Sequence, residues 1–232
     1  AREGVREGDR VGVFLPMLPE TAIAVLALGR LRAIYTPVFS GYGAGAVAAR
    51  LNDCEASLLI TADGFYRRGS VVPLKETADG ALAGAPTVTK ALVVRRLGER
   101  AAAVPWTRGR DRSWDEALAD SDAAGTPAPD VPPTDTETPY MLIYTSGTTG
   151  RPKGAVHVHG GFPVKGAQDL AHGFDLGPGD TLFWFTDLGW MMGPWAISGS
   201  VILGARLVIY EGTPDHPGPD RLWSIVERHR VT

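Results

Sequence analysis

Residues 144–154 read Tyr-Thr-Ser-Gly-Thr-Thr-Gly-Arg-Pro-Lys-Gly and follow directly on the apolar run Tyr-Met-Leu-Ile of residues 140–143. A strand that empties into a loop of hydroxyl residues, glycines and one lysine suits a polyphosphate. Gly147 and Gly150 let backbone N–H groups converge on an anion with no Cβ in the way, and the hydroxyls of Thr145, Ser146, Thr148 and Thr149 add further donors. Lys153 brings a positive charge, and Pro152 restricts Arg151 so that the turn stiffens just before the lysine. The spacing is not that of the common G-x-x-x-x-G-K-[ST] loop. Lys153 follows a proline and precedes Gly154, where that loop would place a hydroxyl for Mg²⁺.

Outward from the loop, short apolar runs alternate with amphipathic stretches of helical length. This pattern predicts an α/β fold with a mostly parallel sheet and helices on both faces. The expected strands cover residues 11–15, 34–39, 57–61, 91–94, 140–144, 155–158, 182–185 and 206–210. The expected helices cover residues 20–31, 44–53, 74–82, 162–173, 194–203 and 219–229. Prolines at 127, 129, 132, 133 and 139, among few apolar side chains, predict an extended connection. The expected organisation is therefore a first α/β portion over 1–123, a linker over 124–138 and a second α/β portion over 139–232 that carries the loop. The charged first residues and the end at Val231-Thr232, where another strand is expected, read as a piece of a longer protein.

Composition narrows the function classes. A chain of 232 residues can bury its own core, so neither disulfide nor metal is required for stability. The net charge of −3 comes from 23 basic and 26 acidic residues without a basic block, which argues against a nucleic-acid partner. No apolar run is long and uninterrupted enough to span a bilayer, there is no signal-peptide core, and Cys54 stands alone; a cytoplasmic location is expected. His157 and His159 share one face of a strand, too few ligands for a metal, so no metal residues are assigned and neither histidine is given a catalytic role. Oligomeric state is left open.

The loop closely resembles the nucleotide-binding loop of the adenylate-forming (AMP-binding) superfamily, which includes acyl-CoA synthetases, luciferases and adenylation domains of peptide synthetases. Its flanks are more selective. Val-His-Val-His-Gly-Gly at 156–161, Leu-Phe-Trp-Phe-Thr-Asp-Leu-Gly-Trp at 182–190 and Glu-Gly-Thr-Pro at 211–214 resemble acetyl-CoA and acetoacetyl-CoA synthetases. So do Phe-Leu-Pro-Met-Leu-Pro-Glu at 14–20 and Leu-Ile-Thr-Ala-Asp at 59–63.

This resemblance implies a fragment of the large amino-terminal domain of an ATP-dependent acyl-CoA synthetase, with ATP (with Mg²⁺), CoA and a small carboxylic acid such as acetate or acetoacetate as its partners. It implies that Thr145, Ser146, Gly147, Thr148, Thr149, Gly150 and Lys153 grip the ATP phosphates, with Lys153 and Thr145 closest to catalysis. It places Trp190 in the wall of the acyl pocket, the alternative being an ordinary core tryptophan, and puts Met191, Met192 and Gly193 near the acyl group. Acetate enzymes usually carry Val-Thr where Met191 and Met192 stand, and the Met-Met pair resembles the acetoacetate type. Gly41, Tyr42 and Arg67 fall where these synthetases place a turn and an arginine near the CoA nucleotide, Arg67 being otherwise a solvated charge. Glu211 reads as a turn residue. The fragment alone is expected to be inactive. The alternatives are an enzyme that loads a carrier protein and a non-catalytic nucleotide-binding module.

Overall fold

Apolar runs without alternation belong in strands covered on both faces, and the computed structural model bears this out over the residues it describes, 1–98, 104–125, 131, 133–145 and 153–232. The central sheet has seven strands: β1 (Arg10–Phe14), β2 (Ile34–Pro37), β3 (Leu58–Ala62), β6 (Lys90–Val94), β7 (Asp111–Ser113), β8 (Pro139–Thr145) and β9 (Lys153–Val158). Their order is β7-β6-β3-β1-β2-β8-β9. All neighbours are parallel except β8 and β9, which pair antiparallel with Leu142 opposite Val156. Strands β8 and β9 thus extend the same sheet that the first part of the chain builds.

Helix α1 (Pro19–Arg30) carries the chain from β1 to β2, and α2 (Ala44–Asp53) carries it back across β1 to β3. Right-handed crossovers in opposite directions put these two helices on opposite faces. The step from β3 to β6 continues in the direction of the α2 crossover, and α3 (Leu74–Leu82) accordingly packs beside α2. The core lies between these layers, with Val11, Val13, Phe14, Tyr35, Leu51 and Leu59 fully buried.

Two small sheets flank the main one. Strands β4 (Phe65–Arg67) and β5 (Ser70–Val72) form a hairpin just after β3. Strands β10 (Thr181–Phe183) and β11 (Arg206–Val208) pair in parallel, with α5 (Phe162–Gly173) packed on α6 (Met192–Ile202), and α7 (Arg221–His229) ends the chain.

Most expected elements occur within a residue or two, α2, α3 and α5 at their expected bounds. The hairpin, β7 and the helix α4 (Trp114–Ala123) were not expected. Three-residue strands are too short for periodicity to register, and β7 is the polar string Asp-Arg-Ser, buried because its charges are paired. Helix α4 did carry a signature: Ser113 is its N-cap and Glu116 its third residue, with the Ser113 N–H donating to Glu116 Oε2 at 3.4 Å.

Candidate functional site

The strand order reverses at β1, and in open α/β sheets the carboxyl ends of strands at such a switch point form a ligand crevice. A cavity of about 430 Å³ opens there. Pro16 and Met17 reach it just beyond β1, Phe39 and Ser40 beyond β2, and Phe65 and Arg67 from the hairpin beyond β3. The second small sheet closes it with Trp184–Asp187 after β10 and Tyr210–Gly212 after β11, together with Trp190 and Met192.

Asp187 fastens the two halves of this wall. Its carboxylate accepts the Ser40 hydroxyl at 2.5 Å, the Ser40 N–H at 3.3 Å and the Gly189 N–H at 2.8 Å. Burial pushes the Asp187 carboxyl above its ordinary range, against the opposing pull of those donors and of Arg67. The contact is close enough to require glycine at 189, where a Cβ would lie 2.3 Å from Phe39 Cα and N. Gly193 is similarly confined, since a Cβ there would stand 2.4 Å from the Asp187 carbonyl oxygen. Gly189→Ala is therefore expected to cost about 1–3 kcal/mol through overpacking against backbone that cannot yield. Thermal or urea unfolding checks this, and an unchanged midpoint would contradict the close approach.

Of the residues expected in the acyl pocket, Trp190 and Met192 line the cavity. Trp190 is 59% exposed and packs edge-on to Phe39 with 5.8 Å between ring centroids, so it is a wall residue and not a core tryptophan. Met191 faces a neighbouring recess of about 710 Å³ that Met192 also lines, bounded by Val156, Phe162, Phe174 and Trp195. Gly193 packs the turn from behind.

The residues expected near CoA divide. Arg67 lines the cavity. Gly41 and Tyr42 sit behind Phe39, whose ring meets that of Tyr42 edge-on at 5.4 Å. Arg50, 7% exposed, then links Tyr42 to the base of the expected phosphate loop: its guanidinium lies 4.2 Å over the Tyr42 ring and 5.8 Å from the Tyr144 centroid. Tyr144 donates its hydroxyl to Asp53 Oδ2 at 2.6 Å, and burial together with that bond pushes its pKa far up. Arg50 has no signature in the sequence, because its two aromatic partners come from segments far apart in the chain.

The loop itself is described only at its two ends. Thr145 closes β8 opposite Lys153, which opens β9; both are exposed, and the Thr145 hydroxyl donates to the Lys153 carbonyl oxygen at 3.5 Å. Ser146, Gly147, Thr148, Thr149 and Gly150 lie outside the described residues.

His157 and His159 bury Nε2 atoms that have no hydrogen-bond partner among the described residues, packed against Phe162 and Tyr140 respectively. Burial lowers both pKa values, with the Arg32 charge adding to the effect at His159. The folded state therefore binds these protons less readily than the unfolded one. Their stabilising contribution is complete above the unfolded value of about 6.5 and fades as pH falls below it. The melting temperature is expected to drop below about pH 6.5, and to do so less in a His157→Gln/His159→Gln variant.

Among the described residues no group of three or more His, Cys, Asp or Glu side chains could hold a metal ion, and no helix is long and apolar enough to cross a membrane. The arrangement is that of a ligand-binding α/β protein with its crevice at the strand ends. The chain belongs to the AMP-binding enzyme family, whose pattern matches residues 1–232. It is 46% identical over 231 residues to the acetyl-coenzyme A synthetase of Pyrobaculum arsenaticum, matching 99% of this chain and 34% of that protein. The acetyl-coenzyme A synthetase of Streptomyces avermitilis gives the same identity and coverage. Among solved structures, the acetoacetyl-CoA synthetase from Streptomyces lividans superposes with a TM-score of 0.87 at 33% identity, over 99% of this chain and 34% of that one. The chain thus spans about a third of the length of these relatives.

Proposed function

We propose that this chain is the part of an AMP-forming acyl-CoA synthetase that grips the ATP phosphates and builds one side of the acyl and CoA site, for a small carboxylic acid of the acetate or acetoacetate kind. The observation that carries this reading is the meeting of Arg67, Trp190 and Met192 at one strand-end cavity, with the base of a Gly/Thr loop joined to its back wall through Arg50 and Tyr42. The relatives named acetyl-CoA and acetoacetyl-CoA synthetases support the same reaction class.

In that reaction a carboxylate oxygen attacks the α-phosphorus of ATP, the bond to pyrophosphate breaks, and acyl-AMP forms. The sulfur of CoA then attacks the acyl carbon, the thiol proton is lost, and AMP leaves. Each step brings anions together, so positioning and charge stabilisation matter more than covalent help. Thr145, Ser146, Thr148, Thr149, the amides of Gly147 and Gly150, and Lys153 would hold the phosphates. Trp190, Met192 and the Met191 side would bound the acyl group, with Gly193 allowing the tight turn that presents them. Arg67, with Gly41 and Tyr42 behind it, would meet the CoA nucleotide. Mg²⁺ would accompany ATP as its counter-ion, its protein ligands coming from outside this chain. A panel of carboxylates assayed by ATP-dependent pyrophosphate release, with the complete gene product, tests the proposal. Release with acetate or acetoacetate that is followed by CoA-dependent AMP formation supports it; activity only with an acyl acceptor on a carrier protein overturns it.

A further inference from the structure

Hairpin β4–β5 pairs Phe65 with Val72, Tyr66 with Val71 and Arg67 with Ser70. A two-stranded hairpin of this size has little stability of its own, so its pose over the cavity depends on what it docks against. Two ties reach it from the loop after β11. In the first, the Tyr66 N–H donates to Glu211 Oε1 at 2.9 Å, while Arg96 Nε and Nη2 meet Glu211 Oε2 at 2.8 and 2.6 Å. The Glu211 side chain is only 6% exposed. The second tie, Arg68 to Asp215 at 2.7 Å, is more than half exposed on both sides and therefore screened by solvent.

Arg96 is anchored in its turn. The buried Asp63 carboxylate accepts the N–H groups of Gly64, Arg96 and Leu97, which fixes the backbone from which the Arg96 side chain projects. Its guanidinium lies 5.3 Å from the Tyr66 ring centroid. Side chains alternate along a strand, so holding Tyr66 against Arg96 turns Phe65 and Arg67 to the opposite face, where both line the cavity. Three arginines gather around the hairpin. Arg68 and Arg96 each have a carboxylate partner, whereas Arg67 has no ion-pair partner among the described residues.

We infer that Glu211, braced by Arg96, is a positioning residue that sets Arg67 over the cavity and so governs affinity for the anionic nucleotide end of CoA. This rests on the assignment of CoA to the Arg67 cavity. Glu211 borders the cavity, but its two carboxylate oxygens are taken up by the Tyr66 N–H and the Arg96 guanidinium; it holds a strand, and through the strand a cation with no ion-pair partner among the described residues.

Charge and position make opposite demands, which allows a decisive test. If Glu211 and Arg96 acted on the ligand only through their charges, removing the carboxylate would strengthen binding of an anion and removing the guanidinium would weaken it. If they act as a brace, both removals weaken it. Calorimetric titration of the complete gene product with CoA is expected to show about a tenfold loss of affinity in Glu211→Ala and in Arg96→Met. Glu211→Gln, which is close in shape and keeps an acceptor for the Tyr66 N–H, is expected to lose less and to fold normally by circular dichroism. Asp215→Asn is expected to change affinity little. Tighter CoA binding in Glu211→Ala and Glu211→Gln alongside weaker binding in Arg96→Met would overturn the brace. Absence of CoA binding in the unsubstituted complete gene product would overturn the assignment of CoA to this cavity, and the brace with it. Binding that is present but indifferent to every substitution would overturn the brace alone.

Discussion

Lys75→Met is expected to lower the unfolding free energy by about 3–5 kcal/mol, the cost of leaving a buried charge without its partner. The Lys75 side chain is fully buried on α3. Its ammonium lies 2.7 Å from Asp79 Oδ1 and 2.8 Å from Asp111 Oδ2, and donates to the Pro105 carbonyl oxygen at 3.2 Å. Asp111 is itself 0% exposed at the side chain, and Arg110 bridges it to Asp79 to complete a neutral quartet. Burial pushes the Asp111 carboxyl up, but hydrogen bonds from Arg110, Lys75 and the Thr107 amide outweigh it, and the pKa ends below the ordinary range. The quartet is thus fully formed above about pH 4 and its contribution is lost as pH falls through the lowered value of Asp111. Methionine keeps the length of lysine and removes the charge, so urea unfolding at neutral pH reports the electrostatic loss with little change in packing. A loss below about 1 kcal/mol would show that Arg110 alone can satisfy Asp111. Lys75→Met/Asp111→Leu is expected to recover much of the loss, because the two buried charges go together.

The second large effect concerns ligand and not stability. Lys153→Ala is expected to weaken ATP binding by about 10- to 100-fold, the worth of a hydrogen bond between charged groups at roughly 1.5–3 kcal/mol. Lys153 opens an edge strand, is exposed, and has no ion-pair partner among the described residues, so little folding energy depends on it. Equilibrium titration with ATP should therefore change while the melting temperature stays within a degree or two. Unchanged ATP affinity would remove Lys153 from the phosphate grip and with it the central part of the proposed function. Arginine at this position should restore only part of the affinity, since a planar fork does not replace a point charge that approaches between oxygens.

The way the sequence misjudges strand ends is informative. Strands expected over 34–39, 182–185 and 206–210 stop at Pro37, Phe183 and Val208. The residues left over include Phe39, Trp184, Phe185 and Tyr210, all of which line the cavity. Apolar character continues past the hydrogen-bonded ladder because these side chains still have a surface to cover, that of the ligand crevice. A hydrophobic pattern cannot distinguish a residue buried by a helix from one that waits for a ligand. The alternation of elements and the Trp190 turn were legible because each is local, whereas residues 146–152 of the Gly/Thr loop lie outside the described residues. The Asp187–Ser40 bond joins residues 147 apart, and the Glu211–Tyr66 bond residues 145 apart, so neither leaves a local trace. Lys75 was hidden for another reason: within an amphipathic helix a lysine reads as solvent-facing, and only the unexpected strand β7 brings Asp111 to it.

The sheet order carries a consequence for how the chain acquires its structure. Strand β2 pairs on one side with β1 and on the other with β8, where Tyr35 stands opposite Met141. More than a hundred residues separate those partners, and at a synthesis rate of 5–20 residues per second roughly 5–20 s elapse between their emergence from the ribosome. During that interval the outer edge of β2 offers unpaired N–H and C=O groups beside an apolar surface, the kind of edge on which nascent chains pair with one another. High contact order at the centre of the sheet thus makes timing of translation, as well as final stability, a determinant of how much of this protein reaches its native state.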